Sequence, residues 1–225
     1  MVRTTTRALA AEDKEARRAS VLDAAEALLA EQPGRVPSAE ELAFRAGMSK
    51  GTLYLYFAVK EDVLLALHER NKDAFFNALR GRIDEAALIT IDDMIALTHQ
   101  HMTGKRDYLP LASLVMGVLQ KGVSQNAAAG FKQRLGMQLV QCGQGLDRHF
   151  DLPTGQGFKL LSHSYGLIIG LWNLAVSDCA LGKEVMAANI ITTASYPAEV
   201  ERALRDLWAG RIAHLRARTP PVTHV

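Results

Sequence analysis

The stretch Ser38–Lys60, SAEELAFRAGMSKGTLYLYFAVK, decides the fold. Ser38 and Glu41 have the spacing of a capping box at the start of a short helix. Gly47 supplies the left-handed residue that ends this helix. Ser49 can then cap a second short helix. Two short helices joined by a tight glycine-containing turn predict a helix-turn-helix.

The second short helix, which we expect to run to about Phe57, carries two tyrosines. Tyr54 and Tyr56 flank Leu55, so they cannot both share the buried face of Leu53 and Phe57. Tyrosine hydroxyls can reach DNA phosphates, and a recognition helix places its first residues against the base edges. The alternative is that both tyrosines only cover the side of a small three-helix core.

Other residues of this stretch suit DNA contacts. Gly51 lets a backbone come close, Lys50 can reach a guanine edge or a phosphate, and Thr52 can bind phosphate or touch a thymine methyl. The candidate DNA-binding residues in and just before the second short helix are Ser49, Lys50, Gly51, Thr52, Tyr54 and Tyr56.

Helical patterns continue on both sides of this stretch. Residues 1–13 are expected to form a flexible arm, and an amphipathic helix follows over 14–31. A long amphipathic helix runs from Lys60 to about Gly81, and Thr90 with Asp93 forms a second capping box. Further helices are predicted over 90–103, 107–120, 125–150, 158–181 and 197–216. Residues 217–225 are expected to be a flexible tail.

Composition supports an all-α protein of about nine helices, because alanine and leucine are frequent and aromatic residues make up only 6%. Charge is less informative. The net charge is +2, and residues 1–80 hold twelve Lys and Arg against twelve Asp and Glu. A DNA-binding function must therefore rest on where the charges lie.

Several other classes of protein are not favoured. Cys142 and Cys179 lack metal-site spacing and are interpreted as reduced thiols of a cytoplasmic protein. The N-terminus lacks the apolar core of a signal peptide, and the apolar run over residues 165–176 is too short to span a bilayer. His99 and His101 lie on different helix faces, so no metal is expected.

Catalysis is not expected either. Ser162, His163 and Asp178 do not form a triad, because Asp178 lies four turns further along the same helix. The sequence contains no nucleophile elbow, phosphate loop or paired carboxylates, and no cofactor is expected.

Residues 17–67 resemble the N-terminal DNA-binding region of the TetR/AcrR family of bacterial transcriptional regulators. The glycine turn, SKGTLYLYF and the following KED occur in the order and spacing of that family. The resemblance implies an all-helical homodimer. Residues 14–59 would be the helix-turn-helix domain, and residues 60–216 a linking helix with an effector-binding and dimerisation domain.

The resemblance also implies roles for single residues. Ser38 matches a hydroxyl residue that meets phosphate, Lys50 to Tyr54 match the part that contacts bases and phosphates, and Lys60 matches a lysine at the start of the fourth helix. Val59 departs from the family, because it cannot cap that helix as the usual polar residue does. Pro37–Ser38 replaces the usual threonine and keeps a hydroxyl.

The apolar helix over residues 158–181 carries a stripe of small and polar residues that includes His163, Gly166, Gly170, Asn173 and Ser177. This stripe either packs against another helix or points His163 and Asn173 into a ligand cavity. The resemblance implies that residues 158–181 and 197–216 form the homodimer interface. The candidate ligand-binding residues are Met102, Met116, Met137, Cys142, His163, Trp172 and Asn173, which suit a hydrophobic or aromatic molecule.

The sequence thus predicts a homodimeric repressor that binds a near-palindromic operator and is released by a small-molecule effector. The long helix from Lys60 would act as the lever. Two alternatives stay open: a small-molecule- or protein-binding helical protein with a weak DNA head, and an activator or chromosome-organising factor of the same fold.

Overall fold

A computed structural model describes residues 2–32, 34–118, 122–176 and 191–218, with side chains from Glu12 onward. Every regular element in these ranges is helical, which confirms the predicted all-α class. The helices are α1 (Val2–Glu31), α2 (Ala39–Arg45), α3 (Lys50–Tyr54), α4 (Lys60–Ile83), α5 (Ile91–Thr98), α6 (Tyr108–Val118), α7 (Gln125–His149), α8 (Gln156–Val176) and α9 (Tyr196–Arg218).

The first helix begins earlier than predicted. Residues 2–13 continue α1, so the prediction of a flexible arm over residues 1–13 is wrong for that part. The reason is local: this segment has no glycine or proline and is rich in alanine and charged residues, which favour helix. The rest of this prediction, Met1, lies outside the described residues, as do Ser177–Leu181 of the predicted helix over residues 158–181 and residues 219–225 of the predicted tail. The prediction of a flexible tail is wrong for Ala217 and Arg218, which continue α9 because no glycine or proline comes between Arg216 and Pro220.

The helix-turn-helix forms through the predicted capping residues. Ser38 accepts a hydrogen bond from the backbone N–H of Glu41, whose carboxylate accepts one from the backbone N–H of Ser38. Gly47 adopts φ +68°, the left-handed conformation that favours glycine. Ser49 caps α3 by accepting a hydrogen bond from the N–H of Thr52.

Helix α3 is shorter than the predicted span, which reached about Phe57. It ends at Tyr54, because Leu55 and Tyr56 donate their N–H groups to the carbonyls three residues back, at 3.1 and 3.0 Å. Such bonds tighten the chain and end an α-helix. Tyr56 therefore lies in the turn after α3, not on it.

The predicted helix over residues 90–103 is divided. Thr90 and Asp93 form the predicted capping box of α5. After Thr98 the chain continues as a π-helical segment, His99–Thr103, which the sequence pattern did not predict. The N–H of Gly104 donates to the carbonyl of His99 at 2.8 Å and closes this wider turn.

The chain forms two compact units. The first, called here the head unit, comprises Met1–Asn71 and Arg106–Lys132. It holds α1, α2, α3, α6 and the beginnings of α4 and α7. Its core includes fully buried apolar side chains from several of these helices: Val21, Ala25, Leu53, Val63, Leu67, Leu111 and Ala112.

The second unit, called the C-terminal unit, comprises Lys72–Lys105 and Gln133–Val225. Hydrogen bonds from buried side chains join its helices α8 and α9. The indole N–H of Trp208 donates to Oγ of Ser164 at 2.9 Å, and the hydroxyl of Tyr196 donates to the carbonyl of Ile168 at 3.1 Å. These bonds fix one face of α8 against α9.

Candidate nucleic-acid interface

The recognition segment, defined here as α3 and the turn after it (residues 50–57), is bound at its end by a side chain of α1. The guanidinium of Arg18 donates to the carbonyl of Tyr56 at 3.0 Å and lies 4.4 Å from the ring centroid of Phe57. Leu53 and Phe57 are buried beneath this contact. The arrangement orients α3 from its apolar side, so its other side is left for a partner. Sequence reasoning missed the role of Arg18, because the arginine is remote in sequence from α3.

Tyr54 on the outward side of α3 and Leu55 just after the helix are exposed. Tyr54 is 44% exposed and Leu55 is 77% exposed, whereas Tyr56 is half-buried. A Cβ added at Gly51 would meet only Oγ of Ser49, at 3.8 Å. A nucleic acid could therefore approach the backbone at Gly51 closely, next to the side chains of Tyr54 and Leu55. Leu55 was not among the predicted contact residues.

A second exposed apolar side chain in the helix-turn-helix was also missed. Phe44 on α2 is 87% exposed. The helical pattern predicts its outward position, since its neighbours Leu42 and Ala43 are both buried. Phe44 therefore adds one exposed aromatic side chain to the surface of the helix-turn-helix.

The start of α2 combines its cap with an ion pair. A guanidinium N–H of Arg35 donates to Glu41, which also completes the capping box with Ser38. Arg35 above all, together with Ser38, lowers the pKa of Glu41 to about 2. Because Ser38 uses an oxygen lone pair in the cap, its own O–H hydrogen can still donate to a phosphate.

At the start of α3 the two hydroxyl residues interact with each other. Oγ of Ser49 lies 2.8 Å from Oγ1 of Thr52 and accepts from the N–H of Thr52 at 3.1 Å. Both side chains therefore help to form the helix as well as standing at its exposed end. A phosphate that approached this end would meet two hydroxyl groups and the backbone N–H groups of the first turn.

The exposed cations of the helix-turn-helix have acidic partners within the head unit. Lys50 is ion-paired with Glu40, and this contact lowers the pKa of Glu40 and raises that of Lys50. Arg45 donates to both carboxylate oxygens of Glu31 at 2.8 Å. The equal numbers of basic and acidic residues over residues 1–80 could have indicated such ion pairs, but they do not show which residues pair with each other.

Helix α4 begins as the sequence suggested, without a side-chain cap from Val59. Lys60 is half-exposed, and its Nζ atom lies 3.8 Å from Oε1 of Glu61. The N–H of Asp62 donates to the carbonyl of Val59. The contact of Lys60 with DNA phosphate therefore stays a prediction.

The seven candidate ligand-binding residues are divided between the two units. Met116 belongs to the head unit and the other six to the C-terminal unit. Met116 and Met137 are about half exposed. Cys142 is fully buried, and burial raises the pKa of its thiol to about 11. Met102 is buried in the π-helical segment.

The described members of the small and polar stripe, His163, Gly166, Gly170 and Asn173, lie on the exposed face of α8, and Ser177 lies outside the described residues. His163 and Asn173 are exposed, and a Cβ added at Gly166 or Gly170 would meet no atom within 4 Å. Trp172 is half-buried, with its ring centroid 5.4 Å from that of Tyr196. The predicted ligand-binding roles remain predictions.

The described residues also bear on metal binding and on membrane insertion. Among those residues, no three His, Cys, Asp or Glu side chains lie close enough together to hold a metal ion. None of the helices described there is long and apolar enough to cross a membrane.

Two family models match the chain. Residues 21–67 match the model described as bacterial regulatory proteins of the tetR family. Residues 69–214 match the model described as the tetracyclin repressor-like C-terminal domain. The two matches together cover both the helix-turn-helix and most of the remaining helices.

One curated relative is a fatty acid metabolism regulator protein of Bacillus subtilis, which is 34% identical over 77 residues. The match spans 34% of this chain and 39% of that relative. It is therefore a likeness of one region, and not of the whole protein.

Solved structures share the fold. A TetR-family transcriptional regulator of Mesorhizobium loti has a TM-score of 0.57 at 19% identity, covering 88% of this chain and 97% of its own. The fatty acid degradation regulator FadR of Bacillus halodurans has a TM-score of 0.54 at 19% identity, and the match covers 84% of this chain and 94% of that one. SmeT, the repressor of the Stenotrophomonas maltophilia multidrug efflux pump SmeDEF, has a TM-score of 0.52 at 18% identity, and the match covers 83% of this chain and 87% of that one.

Proposed function

We propose a specific function for this chain, which belongs to the TetR family of bacterial regulatory proteins and is thus a DNA-binding transcriptional regulator and not an enzyme. The proposal is that the protein is a repressor that an apolar or aromatic small molecule releases from its operator. Relatives are named as a repressor of a multidrug efflux pump and as regulators of fatty acid metabolism or degradation. Those names support repression and an apolar effector. The regulator would act in the bacterial cytoplasm, where the chromosome lies.

The observation that supports DNA reading most strongly is the geometry of α3. Leu53 is buried on its inner side, Ser49 caps its start, and Arg18 binds the carbonyl just after its end. A short helix held in these three ways presents the same outward face each time it meets DNA. In this proposal α3 enters the major groove, where Gly51 and Tyr54 face the bases and phosphates.

Members of this family bind operators and dimerise. For this chain we place the dimer interface on the outer faces of α8 and α9. Leu174 and Val176 of α8 are 62% and 45% exposed, and Gly166 and Gly170 leave room for a close helix approach. Burying this apolar face against a second copy would stabilise the dimer. Two copies of α3 would then read half-sites about 34 Å apart, or a multiple of that distance.

Control by a ligand requires two states of the dimer with different affinities for the effector. Helix α4 is the natural connection between the effector and the DNA-binding helices, because its first residue, Lys60, comes shortly after the recognition segment in the chain. The effector would favour the state in which the two α3 helices are wrongly spaced for the operator.

The test of this function is selection of DNA from a random pool by the purified full-length protein. The proposal expects a near-palindromic consensus, and Tyr54→Phe should weaken binding to it without lowering the melting temperature. Recovery of no consensus would contradict the proposal.

A second candidate function is that of a small-molecule- or protein-binding protein whose helix-turn-helix binds DNA only weakly. The ion pairs of Lys50 with Glu40 and of Arg45 with Glu31 favour it, because they reduce the positive charge available to phosphates. This candidate predicts a shallow dependence of DNA affinity on salt concentration, whereas the repressor predicts a steep one.

A further inference from the structure

Helix α3 is too short to fix its own orientation. It has only five residues, and the left-handed turn at Gly47 precedes it. Helices of this length are not stable alone, so the angle between α2 and α3 is set by the surface on which both helices pack. Reading base edges requires that this angle be fixed, because contacting side chains must be held to within about 0.5 Å and 10–20°.

Two polar side chains of α1 bind backbone carbonyl groups at the ends of α2 and of the recognition segment. Oγ of Ser20 donates to the carbonyl of Ala46, the C-cap of α2, at 3.3 Å. The guanidinium of Arg18 donates to the carbonyl of Tyr56, two residues after α3, at 3.0 Å. Carbonyl groups at the end of a helix have no donor within that helix, so a side chain from another element can bind them.

Arg18 makes a second contact with the recognition segment. Its guanidinium carbon lies 4.4 Å from the centroid of the Phe57 ring, and Phe57 is only 3% exposed. The planar guanidinium can stack on a ring and donate to a carbonyl at the same time, which fixes its direction. Because Arg18 and Ser20 are two residues apart, they leave α1 on different sides, one towards the recognition segment and the other towards the end of α2.

We propose that Arg18 and Ser20 are positioning residues for sequence recognition. They hold the ends of α2 and of the recognition segment on α1, and in this way they fix the angle at which α3 meets the base edges. The quantity that they set is sequence discrimination, which is the ratio of the affinities for the operator and for unrelated DNA. This inference deepens the proposed function, because it rests on the reading of the operator by α3.

Discrimination is more sensitive than affinity to a small rotation of α3. Affinity for unrelated DNA comes from phosphate contacts, which carry no sequence information. Hydrogen bonds to base edges weaken steeply when their distance or angle departs from the optimum. A loosened α3 should therefore lose operator binding, while its binding to unrelated DNA changes little.

Helix α1 also has an arginine contact on its other neighbour, which provides a matched control. Arg70 of α4 is ion-paired with Asp23 at 2.6 Å and with Glu26 at 2.9 Å, and both of these carboxylates belong to α1. Replacing either Arg18 or Arg70 by methionine removes one positive charge and one contact of α1. A general effect of charge or of α1 packing on DNA binding would therefore appear in both variants.

The experiment measures the affinity of the full-length protein for its selected operator and for a scrambled duplex, well below the melting temperature. Arg18→Met should lower the ratio of the two affinities about tenfold, because it removes a charged hydrogen bond and the ring contact. Ser20→Ala removes one neutral hydrogen bond and should lower the ratio about threefold. Arg18→Lys keeps a charged donor and should recover most of the wild-type ratio, and Arg70→Met should keep it.

A merely structural role would lower the melting temperature of Arg18→Met and leave its ratio of affinities unchanged, and that result would overturn the proposal. An equal fall of the ratio in Arg18→Met and Arg70→Met would also overturn it, since the lost charge would then be the cause. If Arg18→Met does not fold, Ser20→Ala decides, because an unchanged ratio in that variant contradicts the positioning role.

The wild type separates this inference from the proposed function. If the wild type prefers its operator and the ratio survives both substitutions on α1, the positioning roles fail and the proposed function stands. If the wild type selects no operator from a random pool, the proposed function fails, and the positioning roles fail with it.

Discussion

The carboxylate of Glu40, in the first turn of α2, is ion-paired with the ammonium group of Lys50, the first residue of α3. The lysine that should meet DNA is therefore partly occupied in the free protein. A phosphate or a guanine edge must compete with Glu40 for it, and Glu40 itself repels phosphates. Such a pair weakens binding to all DNA and leaves discrimination to shape and base contacts.

Removing the charge of Glu40 should strengthen DNA binding. We expect Glu40→Gln to raise the affinity for any duplex about three- to tenfold at low salt, because exposed charges act mainly through long-range attraction. Binding to a selected operator and to a scrambled duplex would be measured by fluorescence anisotropy. Asp92→Asn is the matched control, since it removes a charge paired with Arg205 in the C-terminal unit. Weaker binding by Glu40→Gln would show that Glu40 contacts DNA directly.

The glycine of the recognition helix should matter for DNA and not for folding. A Cβ at Gly51 meets no closer atom than Ser49 Oγ, so Gly51→Ala should be neutral or stabilise the protein by up to about 1 kcal/mol. Operator affinity should nevertheless fall at least tenfold if DNA approaches this backbone closely. Gly210→Ala, at an open position on α9, serves as the control. Unchanged operator affinity of Gly51→Ala would place the DNA elsewhere.

The contact between α8 and α9 should depend on one hydroxyl. Ser164→Ala leaves the buried indole N–H of Trp208 without its acceptor and should lower the free energy of unfolding by about 1–3 kcal/mol. Ser162→Ala, two residues away, removes a partly exposed hydroxyl bonded to its own helix and should cost much less. Urea unfolding measures both. Equal losses from the two variants would argue against the buried bond.

The cap of α2 should make stability depend on pH. The folded pKa of Glu41 is about 2, against 4.5 without partners, so its carboxylate stabilises the folded state above pH 4.5. This contribution is lost as the pH falls from about 4.5 to about 2. The difference in unfolding free energy between the wild type and Glu41→Gln should therefore shrink over that range. A difference that stays constant from pH 5 to pH 2 would contradict the assignment.

Local signals in the sequence predicted the helix-turn-helix well. Ser38, Glu41, Gly47 and Ser49 act within a few residues of themselves, so their spacing alone specifies caps and a turn. Among the candidate DNA-binding residues, Lys50, Gly51, Thr52 and Tyr54 lie on α3, whereas Ser38 and Lys60, which the family resemblance added, lie at the starts of α2 and α4. Their contacts with DNA stay predictions.

Features that depend on distant residues could not be read from the sequence. The contact of Arg18 with the carbonyl of Tyr56 joins residues 38 positions apart. The end of α3 at Tyr54 and the π-helical segment after Thr98 reflect backbone geometry that no side-chain pattern marks.

Sequence-specific DNA binding by α3 is the central claim, and one measurement tests it most directly. The affinity of the purified protein for the DNA flanking its own gene and for a scrambled duplex is determined across a series of salt concentrations. The account predicts a clear preference for the native DNA, with an affinity that falls steeply as salt rises. Equal affinity for both duplexes, with little dependence on salt, would contradict it.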